Sequence, residues 1–314
     1  MNTDLYELTM AQGLWENDKT EEQGCFTAFF REAPFGNSYA VMCGTAELGE
    51  FVENFRFTEE DIAYLSELEA PGGGLLFKSG FLRFLADFRP RVDIDEGELV
   101  FAREPMVRVT GPMLDCQLLE TALLNIIGFQ TLVATKTARV VQAAQGRPVA
   151  EFGLRRAQGP DGGVAVARAS YVAGCASTSN VLAGRRYGIP VSGTHAHSWV
   201  LSFPTELEAF RAFAKSSPKN CTLLVDTYDV REGVENAIAV AREMEASGER
   251  LSGIRIDSGD LAKLSAYARR RFDEEGLDYV KIVVSNDLDE HTISSLLGQG
   301  APVDAFGVGT KLAT

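Results

Sequence analysis

Basic residues, histidines and long apolar runs are all scarce in this sequence of 314 residues. The chain has 30 lysines and arginines but 44 aspartates and glutamates, a formal net charge of −14. This balance argues against nucleic acid or an anionic membrane as a general partner, because neither is attracted to a negative field. No run of about eighteen consecutive apolar residues is present, so we expect no membrane-spanning segment. The acidic start MNTDLYELTM lacks the basic and apolar regions of a secretory signal.

Cysteine is sparse as well. The five cysteines are scattered and contain no CxxC pair, which indicates reduced packing residues in a cytoplasmic protein. What is present is a content of 45% hydrophobic and 24% charged residues, typical of a soluble globular protein with a sizeable core. The length suits one large α/β domain, or a barrel with a smaller attached domain.

The first 147 residues have a mixed pattern, which predicts an N-terminal α/β domain. TDLYELTMAQGLW has a helical rhythm of apolar residues, CFTAFFRE and YAVMCG are typical of strands, and Thr58 begins a capped helix. The stretch 118–144 predicts a long helix that is apolar over most of its surface and therefore buried.

From residue 148 to residue 314, short β-branched runs alternate with helical patterns. Each run ends in a polar or glycine-rich segment, which we call a strand tip; the tips are VAEFGLRR, IPVSGTHAHS, TLLVDTYD, GIRIDSGD, KIVVSND and DAFGVGT. Alternating strands and helices require parallel pairing, and the spacing fits a βα barrel better than a sandwich. Because the chemistry of such barrels lies at the carboxyl ends of the strands, we expect the tips to form one site.

Two of the three histidines, His195 and His197, lie together at one tip. Neighbouring histidines and carboxylates are typical of a zinc site, but no further histidine or clustered cysteine supplies the third strong ligand. Both rings could instead be hydrogen-bonded structural groups.

Phosphate binding fits the remaining tips better than zinc does. FGVGTKL follows a strand and presents consecutive backbone amides, although glycines also serve simple turns. Arg155, Arg156 and Arg255 on one rim of an acidic protein favour an anionic substrate.

Eight segments resemble the successive motifs of the nicotinate phosphoribosyltransferase family; in order they are TDLYELTMAQG, LLNIIGFQTLVATK, EFGLRRAQGPDGG, TSNVLAG, PVSGTHAHS, LLVDTYD, RIDSGDL and FGVGTKL. The resemblance covers nearly the whole chain. It implies a mixed α/β N-terminal domain (1–147) and an irregular α/β barrel (148–314). It also implies the condensation of nicotinate with 5-phosphoribosyl 1-pyrophosphate to nicotinate mononucleotide and pyrophosphate, coupled to ATP hydrolysis. Family members continue past GVGT, so we expect a chain ending at Thr314 to be truncated or short.

The resemblance implies catalytic roles for two residues. His197 matches the histidine that ATP phosphorylates, and Asp226 matches an acid that approaches this histidine and orients it. In some relatives the residue that matches His195 is not histidine, so His195 is given a supporting role.

The nicotinate site is implied by five further residues. Phe152 matches the stacking aromatic, and Tyr6 would cover the other face of the ring from a second subunit. Arg255 and Thr194 would bind the carboxylate and the ring edge. Ser179 stands where nicotinamide-using relatives carry an aspartate, and its neutrality favours nicotinate over nicotinamide.

The resemblance also implies a phosphoribosyl pyrophosphate site. Gly307, Gly309 and Thr310 would contact the 5-phosphate. Asp257 would contact the ribose, and Lys136 and Arg155 would contact the pyrophosphate. Mg²⁺ would arrive with phosphoribosyl pyrophosphate and ATP and be held mostly by phosphate oxygens and water, and no residue is assigned as a metal ligand. The expected assembly is a homodimer with shared sites. The alternatives are a nicotinamide or quinolinate enzyme of the same fold, or a catalytically silent binding subunit.

Overall fold

The computed structural model describes residues 1–96 and 99–314, and its internal contacts divide the chain into two compact units. Unit 1 is Met1–Thr135 and unit 2 is Lys136–Thr314. The division falls inside one long helix, Met113–Ala143, whereas the boundary predicted from the sequence, after residue 147, follows the end of that helix.

Unit 1 combines short helices with two small antiparallel sheets. Its elements are α1 (Leu5–Glu16), β1 (Gln23–Ala28), a 3₁₀ turn (Pro34–Gly36), β2 (Tyr39–Val41), α2 (Thr45–Asn54), α3 (Glu59–Glu67), α4 (Ser79–Asp87), β3 (Asp93–Glu96), β4 (Leu99–Phe101), β5 (Val107–Pro112) and most of α5 (Met113–Ala143). One sheet has the order β1-β5-β3, and β2 pairs with β4. Thr58 caps α3 as predicted: its hydroxyl accepts the Asp61 N–H, and the Asp61 carboxylate accepts the Thr58 N–H.

Helix α5 is long and apolar enough to cross a membrane by length and composition, the single such helix in the residues that the structure describes. In the folded chain 56% of an apolar 18-residue stretch of this helix is buried. Its side chains Leu114, Leu118 and Leu119 belong to the unit 1 core, and Val140 belongs to the unit 2 core. This burial is that of a core helix, as the apolar pattern of 118–144 predicts.

Unit 2 alternates strands and helices. Its elements are β6 (Val149–Glu151), α6 (Gly159–Val172), β7 (Ser177–Thr178), α7 (Val181–Tyr187), α8 (His197–Leu201), α9 (Glu206–Ser216), a 3₁₀ turn (Pro218–Asn220), β8 (Thr222–Leu224), α10 (Val230–Ala246), β9 (Gly253–Ile256), α11 (Leu261–Glu274), β10 (Lys281–Val284), α12 (Glu290–Gly298), β11 (Ala305–Val308) and α13 (Thr310–Ala313). The strands form one parallel sheet of six in the order β7-β6-β11-β10-β9-β8. The carboxyl ends of all six strands therefore lie at one edge, where the tips meet.

The β-branched run IPV is typical of a buried strand, but that prediction is wrong: Pro190 and Val191 are exposed, and the run forms a single parallel bridge between Val191 and Thr178 of β7. Pro190 has no N–H to donate, which limits the ladder. Two backbone bonds remain, from the Thr178 N–H to the Pro190 carbonyl and from the Ser192 N–H to the Thr178 carbonyl, both 3.0 Å. The segment thus lines the β7 edge without becoming a full strand.

Candidate active site

Asp226 joins three of the tips. It lies two residues after β8, directly after the buried Val225, and its side chain is fully buried. Its Oδ2 accepts the Asp257 N–H at 2.9 Å and the Ser258 hydroxyl at 2.6 Å, both beyond the end of β9. Its Oδ1 lies 3.2 Å from Nε2 of His197. The carboxylate therefore ties the ends of β8 and β9 to the start of α8, which makes it an orienting group for His197.

His197 is the first residue of α8, and its side chain is 41% exposed. With a carboxylate at Nε2, the neutral ring carries its proton on Nε2 and keeps a lone pair on Nδ1. An oriented imidazole that is open to solvent on one side and held by an acid on the other can act as a nucleophile or a base.

His195 has the opposite environment. It is only 7% exposed and packs edge-on against Phe213, with ring centroids 4.8 Å apart. Its Nε2 accepts the backbone N–H of Leu224 at 3.1 Å, and its Nδ1 donates to the Ala196 carbonyl at 3.4 Å. Burial lowers the pKa of His195 to about 4, so the ring is neutral at physiological pH. The two adjacent histidines are thus chemically different groups.

Arg255 lies on β9 and points its guanidinium at the segment between β7 and α8. Its Nη1 donates to the Thr194 hydroxyl at 2.6 Å and its Nη2 to the His195 carbonyl at 3.4 Å, and its buried Nε has no partner. Burial, together with the nearby Arg155, lowers the pKa of Arg255, against the opposing charges of Asp257 and Asp226. Across residues 1–96 and 99–314, no carboxylate forms an ion pair with Arg255. A half-buried cation that is hydrogen-bonded only to neutral oxygens is suited to bind an anion.

The glycines of FGVGTKL pack closely against Phe152. A Cβ on Gly307 would lie 2.6 Å from the Phe152 ring, and a Cβ on Gly309 would lie 3.0 Å from the Phe152 carbonyl oxygen. The Phe152 N–H also donates to the Val308 carbonyl at 2.8 Å. The predicted stacking aromatic and the predicted phosphate loop are therefore neighbours, and only glycine at 307 leaves room for the ring.

Glu151, which the sequence analysis did not single out, holds this neighbourhood in place. Its buried carboxylate accepts the Gly153 N–H and, at 2.6 Å, the Thr178 hydroxyl. Burial raises the pKa of Glu151. It therefore fixes the backbone on either side of Phe152 and the residue before Ser179. The sequence signal that could have identified Glu151 is an acidic residue in a strand that is otherwise apolar.

The predicted pyrophosphate residues lie in different settings. Lys136 is paired with Glu290 at the start of α12, 2.5 Å away, and Arg139 pairs with the same carboxylate at 2.9 Å. Arg155 is exposed. The Asp257 carboxylate accepts the Ser285 hydroxyl at 2.5 Å, which joins the ends of β9 and β10. Arg139, Ser285 and Glu290 were not identified from the sequence.

The backbone after β10 is strained. Asn286 and Asp287 have φ values of 99° and 42°, a region that costs free energy for residues other than glycine. Such strain is concentrated at functional tips, and here it lies beside Ser285. In the part of the chain that the structure describes, no group of three or more His, Cys, Asp and Glu side chains is placed to hold a metal ion.

Sequence comparison agrees with this geometry. Residues 1–128 match the nicotinate phosphoribosyltransferase N-terminal domain, and residues 148–314 match the nicotinate phosphoribosyltransferase family. The chain belongs to this family. The family predicted from the eight motifs is therefore confirmed.

Individual relatives of this family member are similar along its whole length. It is 46% identical over 320 residues to nicotinate phosphoribosyltransferase of Bacillus subtilis, and 47% identical over 315 residues to nicotinate phosphoribosyltransferase pncB2 of Mycobacterium tuberculosis. These alignments cover 100% and 99% of this chain but 63% and 66% of the two relatives. The chain thus spans less than two thirds of their length.

A solved structure extends the comparison to the fold. The crystal structure of human nicotinic acid phosphoribosyltransferase superposes with a TM-score of 0.88 at 34% identity, covering 98% of this chain and 73% of the human chain. The predicted α/β fold, a barrel-like domain with a mixed α/β N-terminal domain, is confirmed.

Within this family member, unit 2 brings most of the predicted site residues to one edge of the sheet. His197, Asp226 and Asp257 are linked by hydrogen bonds, as are Thr194 and Arg255. Phe152 forms a second group with Gly307 and Gly309. Ser179 directly follows β7, and Thr310 begins α13 two residues after β11. Lys136 lies on α5, and Arg155 lies beyond the end of β6. Tyr6 lies on α1 of unit 1 and is 47% exposed.

Proposed function

We propose that this chain catalyses the transfer of a phosphoribosyl group to nicotinate. The observation that carries the proposal is the Arg255 guanidinium, which is held by the Thr194 hydroxyl and paired with no carboxylate among the described residues. A substrate carboxylate would complete this charge with short, charge-assisted hydrogen bonds. Nicotinate carries one such group on a flat aromatic ring.

The rest of the nicotinate site follows from its neighbours. Phe152, fixed by Glu151 and Gly307, offers a rigid stacking face. Ser179 is neutral and does not repel the substrate carboxylate. Tyr6 would supply the second face of the ring.

The second substrate, 5-phosphoribosyl 1-pyrophosphate, would bind along the adjoining tips. Gly307, Gly309 and Thr310 would hold the 5-phosphate with backbone amides and a hydroxyl, and Asp257 would contact the ribose. Arg155 is exposed and close enough to Arg255 to lower its pKa. Lys136 and Arg155 would bind the pyrophosphate. Because Lys136 is paired with Glu290, the pyrophosphate would compete with that carboxylate for the ammonium group. Mg²⁺ would be coordinated by pyrophosphate oxygens and water.

In the reaction, the pyridine nitrogen forms a bond to the anomeric carbon as the bond from that carbon to pyrophosphate oxygen breaks. Arg255 and Phe152 contribute by holding the ring nitrogen in line, and Arg155 and Lys136 by neutralising the departing pyrophosphate. Positive charge develops on the ribose in the transition state, and the Asp257 carboxylate is suited to stabilise it.

ATP coupling would proceed through His197. With Asp226 at Nε2, the lone pair of Nδ1 would attack the γ-phosphorus of ATP and ADP would leave. The same carboxylate stabilises the positive charge that phosphorylation places on the ring.

Product analysis tests the transfer itself. Nicotinate, nicotinamide and quinolinate are offered separately with 5-phosphoribosyl 1-pyrophosphate and Mg²⁺, with and without ATP. Of the three ring substrates, we expect only nicotinate to react, giving nicotinate mononucleotide and pyrophosphate, and we expect a higher rate with ATP. A product from quinolinate or nicotinamide in its place would contradict the assignment of the substrate, and no product from folded protein would favour a silent binding subunit.

We also propose that the active form is a homodimer in which Tyr6 of one subunit covers the nicotinate ring of the other. Its half-exposed phenol is compatible with such a contact. If so, mixing Tyr6→Ala protein with His197→Ala protein under subunit exchange should restore part of the ATP-coupled activity, because one of the two sites in the mixed dimer keeps both residues. No recovery despite demonstrated exchange would place both residues in one subunit's site.

A further inference from the structure

The parallel sheet of unit 2 ends at β7 on one side and at β8 on the other. The segment Pro190–His195 forms bonds to both edges. Toward β7 it has the two backbone bonds to Thr178. Toward β8 the bond comes from a side chain: the Leu224 N–H donates to Nε2 of His195 at 3.1 Å.

We infer that His195 is a positioning residue that closes the barrel with its ring and thereby sets the places of Thr194 and His197. A parallel strand would offer a backbone carbonyl to the Leu224 amide. Here an imidazole nitrogen supplies that acceptor. The inference rests on the proposed function, because the residues that it positions are those assigned to nicotinate and to ATP.

The ring can perform this task because every side of it is fixed. Phe213 and Phe210 of α9 pack against it, with centroids 4.8 and 6.0 Å away. Its Nδ1 donates to the Ala196 carbonyl, and Ala196 is the residue directly before α8. The charged or titratable neighbours that face the ring are Arg255 from β9 and His197 from α8. Both disfavour a protonated ring, which could not accept the Leu224 N–H.

The backbone carbonyl of His195 also forms hydrogen bonds with two residues of the site. The His195 carbonyl accepts Nη2 of Arg255 at 3.4 Å and the Thr194 hydroxyl at 3.1 Å, and that hydroxyl in turn accepts Nη1 of Arg255. A shift of the ring away from Leu224 would therefore move the oxygens that hold the guanidinium. We expect the nicotinate side of the site to be affected more than the phosphoribosyl side, whose glycines lie on β11 and its tip.

Two substitutions of His195 distinguish the effect of its hydrogen-bond acceptor from the effect of its side-chain volume. Glutamine can accept the Leu224 N–H with its amide oxygen and donate with its amide nitrogen, whereas leucine fills similar space and can do neither. His291→Gln is the matched control, because that ring is 77% exposed. In the full chain, we measure hydrogen exchange of the Leu224 amide by NMR and the KM values for nicotinate and for phosphoribosyl pyrophosphate.

In His195→Leu we expect Leu224 to exchange about tenfold faster than in wild type, the upper range for one hydrogen bond. We expect the KM for nicotinate to rise about tenfold and the KM for phosphoribosyl pyrophosphate to change less than about twofold. Glutamine should recover most of the protection and of the nicotinate KM, and His291→Gln should resemble wild type.

Unchanged protection of Leu224 in His195→Leu, or an equal rise of both KM values that glutamine does not reverse, would overturn the inference. Should the leucine variant not fold, the NMR chemical shifts of the ring nitrogens of wild-type His195 decide. A proton on Nδ1 supports closure of the barrel by this ring, and a proton on Nε2 contradicts it. Neither NMR measurement needs activity. A wild-type protein that forms no nucleotide yet shows both features would therefore contradict the proposed function alone.

Discussion

Replacing Asp226 with asparagine is expected to lower the ATP-coupled rate by ~10³-fold or more, the scale for losing the carboxylate that orients a histidine. Oδ2 accepts two donors, from Asp257 and Ser258, so the amide oxygen of asparagine will take that place and its NH₂ will face His197. The ring then has to accept at Nε2 and carry its proton on Nδ1, which removes the nucleophilic lone pair. ATP hydrolysis and nucleotide formation, measured together, check this.

The control for this prediction is Asp229→Asn, three residues along the same tip. Asp229 is exposed and caps α10 through bonds from the Arg231 and Glu232 amides, and asparagine caps a helix about equally well. We expect wild-type coupling from the control. Equal losses in the two variants would mean that any change at this tip is harmful, and the orienting role of Asp226 would be wrong.

Removing the guanidinium by Arg255→Ala is expected to lower kcat/KM for nicotinate by about 2–3 kcal/mol, or roughly 30- to 150-fold. The reason is that a substrate carboxylate would lose its charged partner in a half-buried place. The KM for phosphoribosyl pyrophosphate should change little. Initial rates with each substrate varied in turn give both values.

Arg250→Ala is the matched control, because Arg250 is an exposed arginine near the opposite end of β9, stacked on Tyr279. It should leave both values near wild type. Arg255→Lys should recover only part of the loss, since an ammonium does not reproduce the two-pronged contact with Thr194 and His195. If nicotinate use is unchanged and only phosphoribosyl pyrophosphate binding suffers, Arg255 belongs to the other substrate.

The meeting of the tips could be predicted from the sequence because the carboxyl ends of parallel strands share one edge. The alternation of strands and helices after residue 148 was sufficient for that. The contact of His197 with Asp226 was expected from the motif resemblance alone, since the two residues are separated by 29 positions and no periodicity links them.

What could not be predicted is which buried acids hold the site residues in place through hydrogen bonds and ion pairs. Glu151 bonds to Thr178, 27 residues away, and Glu290 pairs with Lys136, 154 residues away. Both are decided by tertiary packing, and an acid at the start of α12 has an ordinary explanation as a favourable charge at a helix N-terminus. The role of His195 was hidden for the same reason, because its partner is a backbone amide of another strand.

The most direct test of the account is to map phosphate on histidine after incubation with ATP and Mg²⁺. The chain offers three histidines in three settings: His197 beside Asp226, His195 buried against Leu224, and His291 exposed. We expect an acid-labile, alkali-stable phosphate on His197 alone, present in His195→Gln and His291→Gln and absent from His197→Ala. A phosphate that remains in His197→Ala, or that maps to His195, would contradict the assignment of chemistry to one ring and of structure to the other.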